Sequence, residues 1–295
     1  MAISNSTYSD VAIREDLLDL IVNIDPEEDQ LYVGLAKHKA TQPYHQWLTD
    51  TLAAVGTVAQ TEGFDPSYAA RTNPTRKANY TQIISAEFQI SDSERNSNTA
   101  GFKDRYTYEM QKAMLEWRRY AEYAIVRGSL VSGGSAAGRN MAGIFAQITT
   151  LATNAGSVSL SETALNTYLQ NAWNQGGNVD MILVGGTLKR RISAFTNTNT
   201  RFVDASTSTV NNTINVYDSD FGRVEVHKHR YVTIAGETFP AMIGLQKDKW
   251  AIAHLDEPHY QEIPRTGYAS KGMIVGEFTL EGLNEKSSFA TTGLL

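Results

Sequence analysis

The chain has 295 residues and a formal charge of −6, divided into −7 over residues 1–30 (eight acids against Arg14) and +1 over the remainder. A body so evenly balanced lacks the basic excess that phosphate-driven binding needs, which argues against nucleic-acid recognition as the main role. The absence of Cys excludes disulfides and thiolate chemistry, and 41% hydrophobic residues suffice for a large core and argue against overall disorder.

In chain order, the N-terminus has neither the basic nor the apolar segment of a secretory signal. No run approaches the roughly 18 apolar residues of a membrane span. The sequence therefore predicts a soluble product of a cytoplasm, with no membrane partner. Arg14 to Val22 place apolar residues on one helical face, and Asp25-Pro26-Glu27-Glu28 has the capping order of a second helix start. Such short helices need another surface to pack on. Ile84, Ala86, Phe88 and Ile90 alternate with polar residues as a half-buried strand. His45 to Leu52 is a weaker strand. Gly63-Phe64-Asp65-Pro66 and Arg71 to Lys77, rich in turn formers, lie between them. The simplest assembly pairs those two strands in a long hairpin with an irregular tip, too poor in apolar residues to stand alone.

Residues 101–127 carry Phe102, Tyr106, Met110, Ala113, Met114, Trp117, Ala121 and Ala124 at steps of three and four, predicting a long amphipathic helix stopped by Gly128. Gly128 to Gly138 reads as a flexible connection. Met141–Leu151 and Glu162–Trp173 read as helices, Val179–Val184 as a buried strand, and Leu188–Phe195 as a short basic helix. Residues 196–213 read as a loop. The final third is β: Thr213–Tyr217, Val224–Lys228, Ala241–Leu245, Trp250–Leu255 and Met273–Leu280, with Asp220-Phe221-Gly222 as a turn. Together these predict an α+β fold.

The motifs of enzyme chemistry are nearly absent. Gly133 to Asn140 has two glycines at P-loop spacing, but Arg139-Asn140 stands where Lys-Ser/Thr would touch phosphate and metal. Val184-Gly185-Gly186 follows a strand without the rest of a dinucleotide fingerprint. His227 and His229 share one strand face and, with His254 and His259, offer a metal-dependent enzyme as a remote alternative. No carboxylate at an expected spacing joins them, so satisfied or surface histidines are the better reading. No cofactor is expected.

A set of motifs runs in order along the chain: Arg14-Glu15-Asp16-Leu17, Ile24-Asp25-Pro26-Glu27-Glu28, His45 to Leu52, Asn79-Tyr80-Thr81-Gln82-Ile83, Ala137 to Ile144, Gly176-Gly177 with Met181 to Val184, and Lys271 to Glu281. In that order they resemble a family of tailed-bacteriophage major capsid proteins with the Hong Kong ninety-seven-type fold. The resemblance implies an N-terminal arm (1–39), an extended loop (40–100), and a peripheral domain with a spine helix (101–139). It further implies an axial domain (140–255) and peripheral strands (256–295). Copies would form hexamers and pentamers of an icosahedral shell around double-stranded DNA, with a portal, possible decoration proteins and a separate scaffolding protein or none, since the arm begins at once. A cellular encapsulin-like shell is the alternative. In that picture Arg14, Glu15, Glu27, Glu28, Arg71, Arg76, Lys77, Ile84, Phe88, Ile90, Arg105, Glu109, Arg118 and Arg119 are candidates for contact between subunits. The strand face of Ile84, Phe88 and Ile90 would lie on a neighbour's spine helix, and Gly128, Gly133 and Gly134 would act as hinges.

Overall fold

A computed structural model describes residues 30–53, 55–56, 59–66, 68, 70–97, 104–134, 137–195, 216–233 and 240–295. In chain order the elements are α1 (Gln30–Gly34), β1 (Ala36–Lys39), β2 (Tyr44–Thr49), β3 (Thr75–Tyr80), β4 (Gln82–Ser91), α2 (Asp92–Asn96) and α3 (Arg105–Arg127). Next come α4 (Ile144–Gln147), β5 (Ala152–Val158), α5 (Glu162–Asn174), β6 (Met181–Val184) and α6 (Gly186–Phe195). The last are β7 (Val216–Ser219), β8 (Gly222–Lys228), β9 (Met242–Leu245), β10 (Trp250–Ile263), β11 (Ala269–Gly282) and β12 (Phe289–Leu294).

The alternation of Ile84, Ala86 and Ile90 makes β4 one edge of a four-stranded sheet ordered β1-β10-β11-β4. β4 and β11 run antiparallel from Ala269↔Ser91 to Phe278↔Gln82, and β1 adds parallel to the start of β10. The period-3.6 stripe of α3 lies on this sheet: Ala113, Trp117, Ala121 and Ala124 are buried, and the Trp117 indole donates to the Ile84 carbonyl at 2.8 Å. At 23 residues α3 is about 35 Å long. Asp104 caps it, accepting from the Tyr106 amide at 3.1 Å. Residues 101–103 of the predicted helix lie outside the described residues, as does the stretch 196–213.

A second sheet is ordered β5-β12-β9-β6-β8-β7, with β6 fully buried at its centre. Its parallel pairs are β6–β8 and β5–β12. Leu165 and Leu169 of α5 and Leu188 and Ile192 of α6 complete its core with Ile182, Val184 and Phe289. The β2–β3 hairpin forms a separate two-stranded ladder.

Several expectations need correction. β2 pairs with β3, from Tyr44↔Tyr80 to Thr49↔Thr75, and not with β4. Alternation specifies a strand's buried face and leaves its partner open. Across Thr81 the chain passes from the small ladder into the four-stranded sheet, so the predicted long hairpin is two ladders in series. The predicted helix 141–151 shrinks to α4, because the Glu285 carboxylate accepts the Thr149 and Thr150 amides, each at 3.1 Å, and the Thr150 hydroxyl at 2.7 Å. That draws the chain out of the helix and into β5. β10 continues to Ile263 through exposed polar residues and a Pro258 irregularity. The boundary drawn at 255 therefore falls inside a strand. β12, absent from the sequence reading, joins the second sheet and not the peripheral strands.

Candidate functional site

The extended loop is anchored at its root by buried polar joints. Asn79, at the end of β3, is 1% exposed. Its amide donates to the carbonyls of Ala142 (3.0 Å) and Leu280 (2.8 Å), and its oxygen accepts the Ala142 amide (2.8 Å). Beside it, Glu277 of β11 accepts from the Thr81 hydroxyl and from the Arg139 guanidinium at 2.7 Å. The buried Glu281 carboxylate meets two imidazoles, His38 of β1 at 2.6 Å and His45 of β2. The Trp47 indole donates to the Gly282 carbonyl at 3.2 Å. Past Thr49↔Thr75 this support ends: Leu52, Val55 and Tyr68 are more than 90% exposed and Arg71 is exposed with them, while Arg76 and Lys77 are exposed within β3.

Leu31 and Tyr32 are fixed at a second joint. Glu122 projects from α3 with no exposed surface and accepts the amides of Leu31 (2.7 Å) and Tyr32 (2.8 Å), two donors that the first turn of α1 leaves without helical partners. The same carboxylate meets His229 Nε2 at 2.8 Å, just past β8. One buried side chain thus joins arm exit, long helix and second sheet. Tyr32 packs edge-on against Trp117 and Phe278. Burial pushes its hydroxyl up to about 12.

Arg14, Glu15, Glu27 and Glu28 lie outside the described residues. Ile84 is buried against the chain's own α3, Ile90 is buried on the same strand face, and Phe88 is half-buried against Tyr106 and Tyr260. The expectation that this face waits for a neighbour is therefore corrected: the chain covers it itself. Arg105 pairs with Glu109 at 3.1 Å and approaches Glu94 at 3.7 Å. Arg118 stands beside Tyr32, and Arg119 donates to the Tyr231 hydroxyl at 3.5 Å. Gly128 is packed and not a swivel: a Cβ there would lie 2.5 Å from the carbonyls of Ala124 and Met141. Gly133 adopts φ +75°, and Gly134 donates to Ala137 within a loop closed by the Val131↔Asn140 bridge.

Sequence reasoning missed Glu122, Asn79, Glu281 and His45 as key groups. Glu122 had a signal, a carboxylate set among Ala121, Ala124 and Ile125 on an apolar stripe. The histidines do not converge on a metal. His227 faces Glu225 at 3.1 Å, His229 is held by Glu122, and His259 meets Asp256 at 3.6 Å. His254 is buried between Tyr32 and Phe278, and burial together with the Lys37 cation holds it below its ordinary range. Among the described residues no group of three or more His, Asp or Glu side chains is arranged to hold a metal ion, and no helix is long and apolar enough to cross a membrane. Arg139, at the P-loop-like spacing, turns its charge to Glu277.

Comparison with known proteins gives these joints a context. No curated protein sequence matches the chain. Among solved structures, the chain is similar to a protein of Gordonia phage Cozz (13% identity, TM-score 0.62, covering 95% of this chain and 91% of that one). It is also similar to the capsid of a native GTA particle (11%, TM-score 0.68, all of both chains). A third likeness is to the SrpI encapsulin complex of Synechococcus elongatus PCC 7942 (7%, TM-score 0.61, all of this chain and 96% of that one). These likenesses establish the shell-protein fold without separating a phage head from an encapsulin. The model of the SU10 major capsid protein family matches residues 2–295, nearly the whole sequence. The chain belongs to the SU10 major capsid protein family, and its role is that of a structural capsid subunit.

Proposed function

We propose that copies of this chain assemble into hexamers and pentamers of an icosahedral phage head that encloses double-stranded DNA, built in the host cytoplasm. The observation that carries this reading is the loop. It is anchored at its base by Asn79, Glu277 and Glu281, yet its distal part exposes Leu48, Leu52, Val55, Phe64 and Tyr68. An isolated hairpin of this kind is marginal in water. A neighbouring subunit that covered it would gain apolar burial at about 25 cal/mol per Å². Repetition around a shell makes modest pairwise contacts durable. In this assignment α3 and the four-stranded sheet form the peripheral domain, and the six-stranded sheet forms the axial domain. Of the proposed arm (1–39) and loop (40–100), β1 and β4 belong to the four-stranded sheet, and the stretch from Tyr44 to Tyr80 reaches out as the loop, with Arg71, Arg76 and Lys77 as contact candidates. A near-neutral body suits a container for DNA, because strong attraction to the lining would oppose packaging and release. A scaffolding protein, a portal and decoration proteins complete the proposed set of partners.

Deletion of residues 60–78 tests the reading. The subunit should stay folded, since the root joints lie outside the deletion, and should form no shells by negative-stain microscopy. Particles like those of the intact chain would refute it. The likeness to an encapsulin favours a second reading, a cellular shell around protein cargo. DNA recovered from nuclease-treated particles supports the phage head, and a protein cargo without DNA supports the alternative.

A further inference from the structure

The four-stranded sheet ends in two unlike edges. Its order leaves the outer sides of β1 and β4 without a paired strand among the described residues. β4 runs ten residues against β11 in unbroken register and carries no Pro, so neither a bulge nor a missing donor blunts that edge. In the same register the Asp92 amide donates to the Tyr268 carbonyl, so alternation turns the backbone groups of Ser85, Glu87 and Gln89 outward. Beside them a groove of about 280 Å³ opens toward α2 and α3, lined by Glu87, Glu94, Glu109 and Glu116 with Arg105 and Lys112. Arg105 answers Glu109 and Glu94, and Lys112 stands 3.9 Å from Glu116. The groove keeps a surplus of negative charge. The opposite edge is basic. The Ala40 amide donates to the His254 carbonyl, so Lys37 and Lys39 present their backbone groups outward. They stand in register with Ile252 and His254, on the sheet face that α3 covers, and Lys37 lies over the Tyr32 ring at 5.1 Å. His38 turns the other way, to Glu281.

We propose that β1 of one subunit adds to the outer edge of β4 in a second copy, continuing the four-stranded sheet across the subunit boundary. This rests on the reading of the chain as a self-assembling shell subunit and names one contact within that assembly. In the joined sheet Lys37 and Lys39 fall on the face that carries Glu94, Glu109 and Glu116 of the receiving copy, so opposite charges meet as the backbones pair. The two edges differ, which makes the contact head-to-tail, the kind that repeats around a ring when the rotation closes. Pairing along a four-residue strand is far smaller than the roughly 1,000 Å² of a stable interface, so it acts together with the other contacts of a ring. It uses none of the exposed apolar residues of the extended loop and is independent of them.

The chain contains no Cys, so engineered disulfides report the contact directly. Within one subunit β1 and β4 are three strand spacings apart, about 14 Å, beyond the Cα separation that a disulfide spans. Ala36→Cys is combined in turn with Ser85→Cys, Glu87→Cys or Gln89→Cys, all exposed and on one face of the sheet, and the assembled protein is oxidised. At least one pair should give a series of covalent oligomers beyond the dimer on a denaturing gel. A single Cys stops at the dimer, so the series identifies a head-to-tail contact. Adding Lys39→Glu to the linking variant should lower the linked fraction about fivefold. Should the Cys variants fail to assemble, hydrogen exchange on the unaltered chain asks the same question. Peptides over residues 36–39 and 84–91 should exchange on the order of tenfold more slowly in particles than in free subunits. Particles that give no oligomer series from any of the three pairs, or whose edge peptides exchange as in the free subunit, overturn the proposal and leave the capsid reading intact. A chain that forms no assembly by microscopy overturns both.

Discussion

Replacing Asn79 by Ala should release the extended loop from the body. Asn79 makes three bonds across the joint, two as donor to the carbonyls of Ala142 and Leu280 and one as acceptor from the Ala142 amide. Both carbonyls also accept from the Gln147 side chain, at 2.9 and 3.0 Å, so they keep a partner in the variant. The Ala142 amide does not, and a buried orphaned N–H costs about 1–3 kcal/mol. Adding the net loss of the two donated bonds gives about 3 kcal/mol, or on the order of 5–10 °C in Tm for a chain of this size. Calorimetry of the unassembled subunit measures the loss. Hydrogen exchange over Tyr44–Thr49 should show the β2–β3 ladder opening before the second sheet. Asn79→Asp is the sharper control: it keeps the acceptor for Ala142 but turns a carboxylate toward two carbonyl oxygens, so it should be no more stable than the Ala variant. A loss below about 1 kcal/mol for Asn79→Ala, or an Asp variant as stable as the parent, would refute the proposed joint.

Two further outcomes follow from buried groups. Burial, with the Lys37 cation, lowers the pKa of His254, and Glu257 opposes the shift. As pH falls, the unfolded chain therefore takes up this proton first, near the ordinary value of about 6.5. The associated stability is present above that value and is lost as pH drops from it through the folded pKa. Urea midpoints between about pH 8 and 5 should decline, and decline less in His254→Gln; equal slopes would remove His254 from the account. The second outcome separates the glycines once grouped as hinges. Gly128→Ala forces a Cβ against two backbone carbonyls and should cost about 3 kcal/mol. Gly133→Ala combines φ +75° with a Cβ 2.6 Å from the Arg139 Cγ, a side chain that can shift, and should cost about 1–2 kcal/mol. Near-neutral behaviour of Gly128→Ala would restore that residue as a free hinge.

What the sequence made legible and what it hid divide along sequence separation. The stripe on α3 and the alternation on β4 were readable because each is set by residues within a few positions. The failures involve partners far along the chain. Glu285 ends α4 from 135 residues away, Glu122 fixes the arm exit across 90, and Asn79 reaches Leu280 across 201. Each such side chain, taken alone, is one polar residue near others, and nothing local says whether it faces water or an amide. β10 was read short for a related reason: its second half is exposed, so no apolar pattern marks it. The joints that aim the arm and the loop belong to this hidden class. The surfaces proposed to meet neighbours fall between the two. The sequence marks the stretch between β2 and β3 only as turn-rich and poor in apolar residues, and the fold shows that Leu52, Val55 and Tyr68 within it are left uncovered. The β4 face makes the converse point. The same apolar evidence, with α3 of the same chain within reach, turned out to be core. Hydrophobicity identifies what must be buried, and topology decides whether the chain or its neighbour buries it.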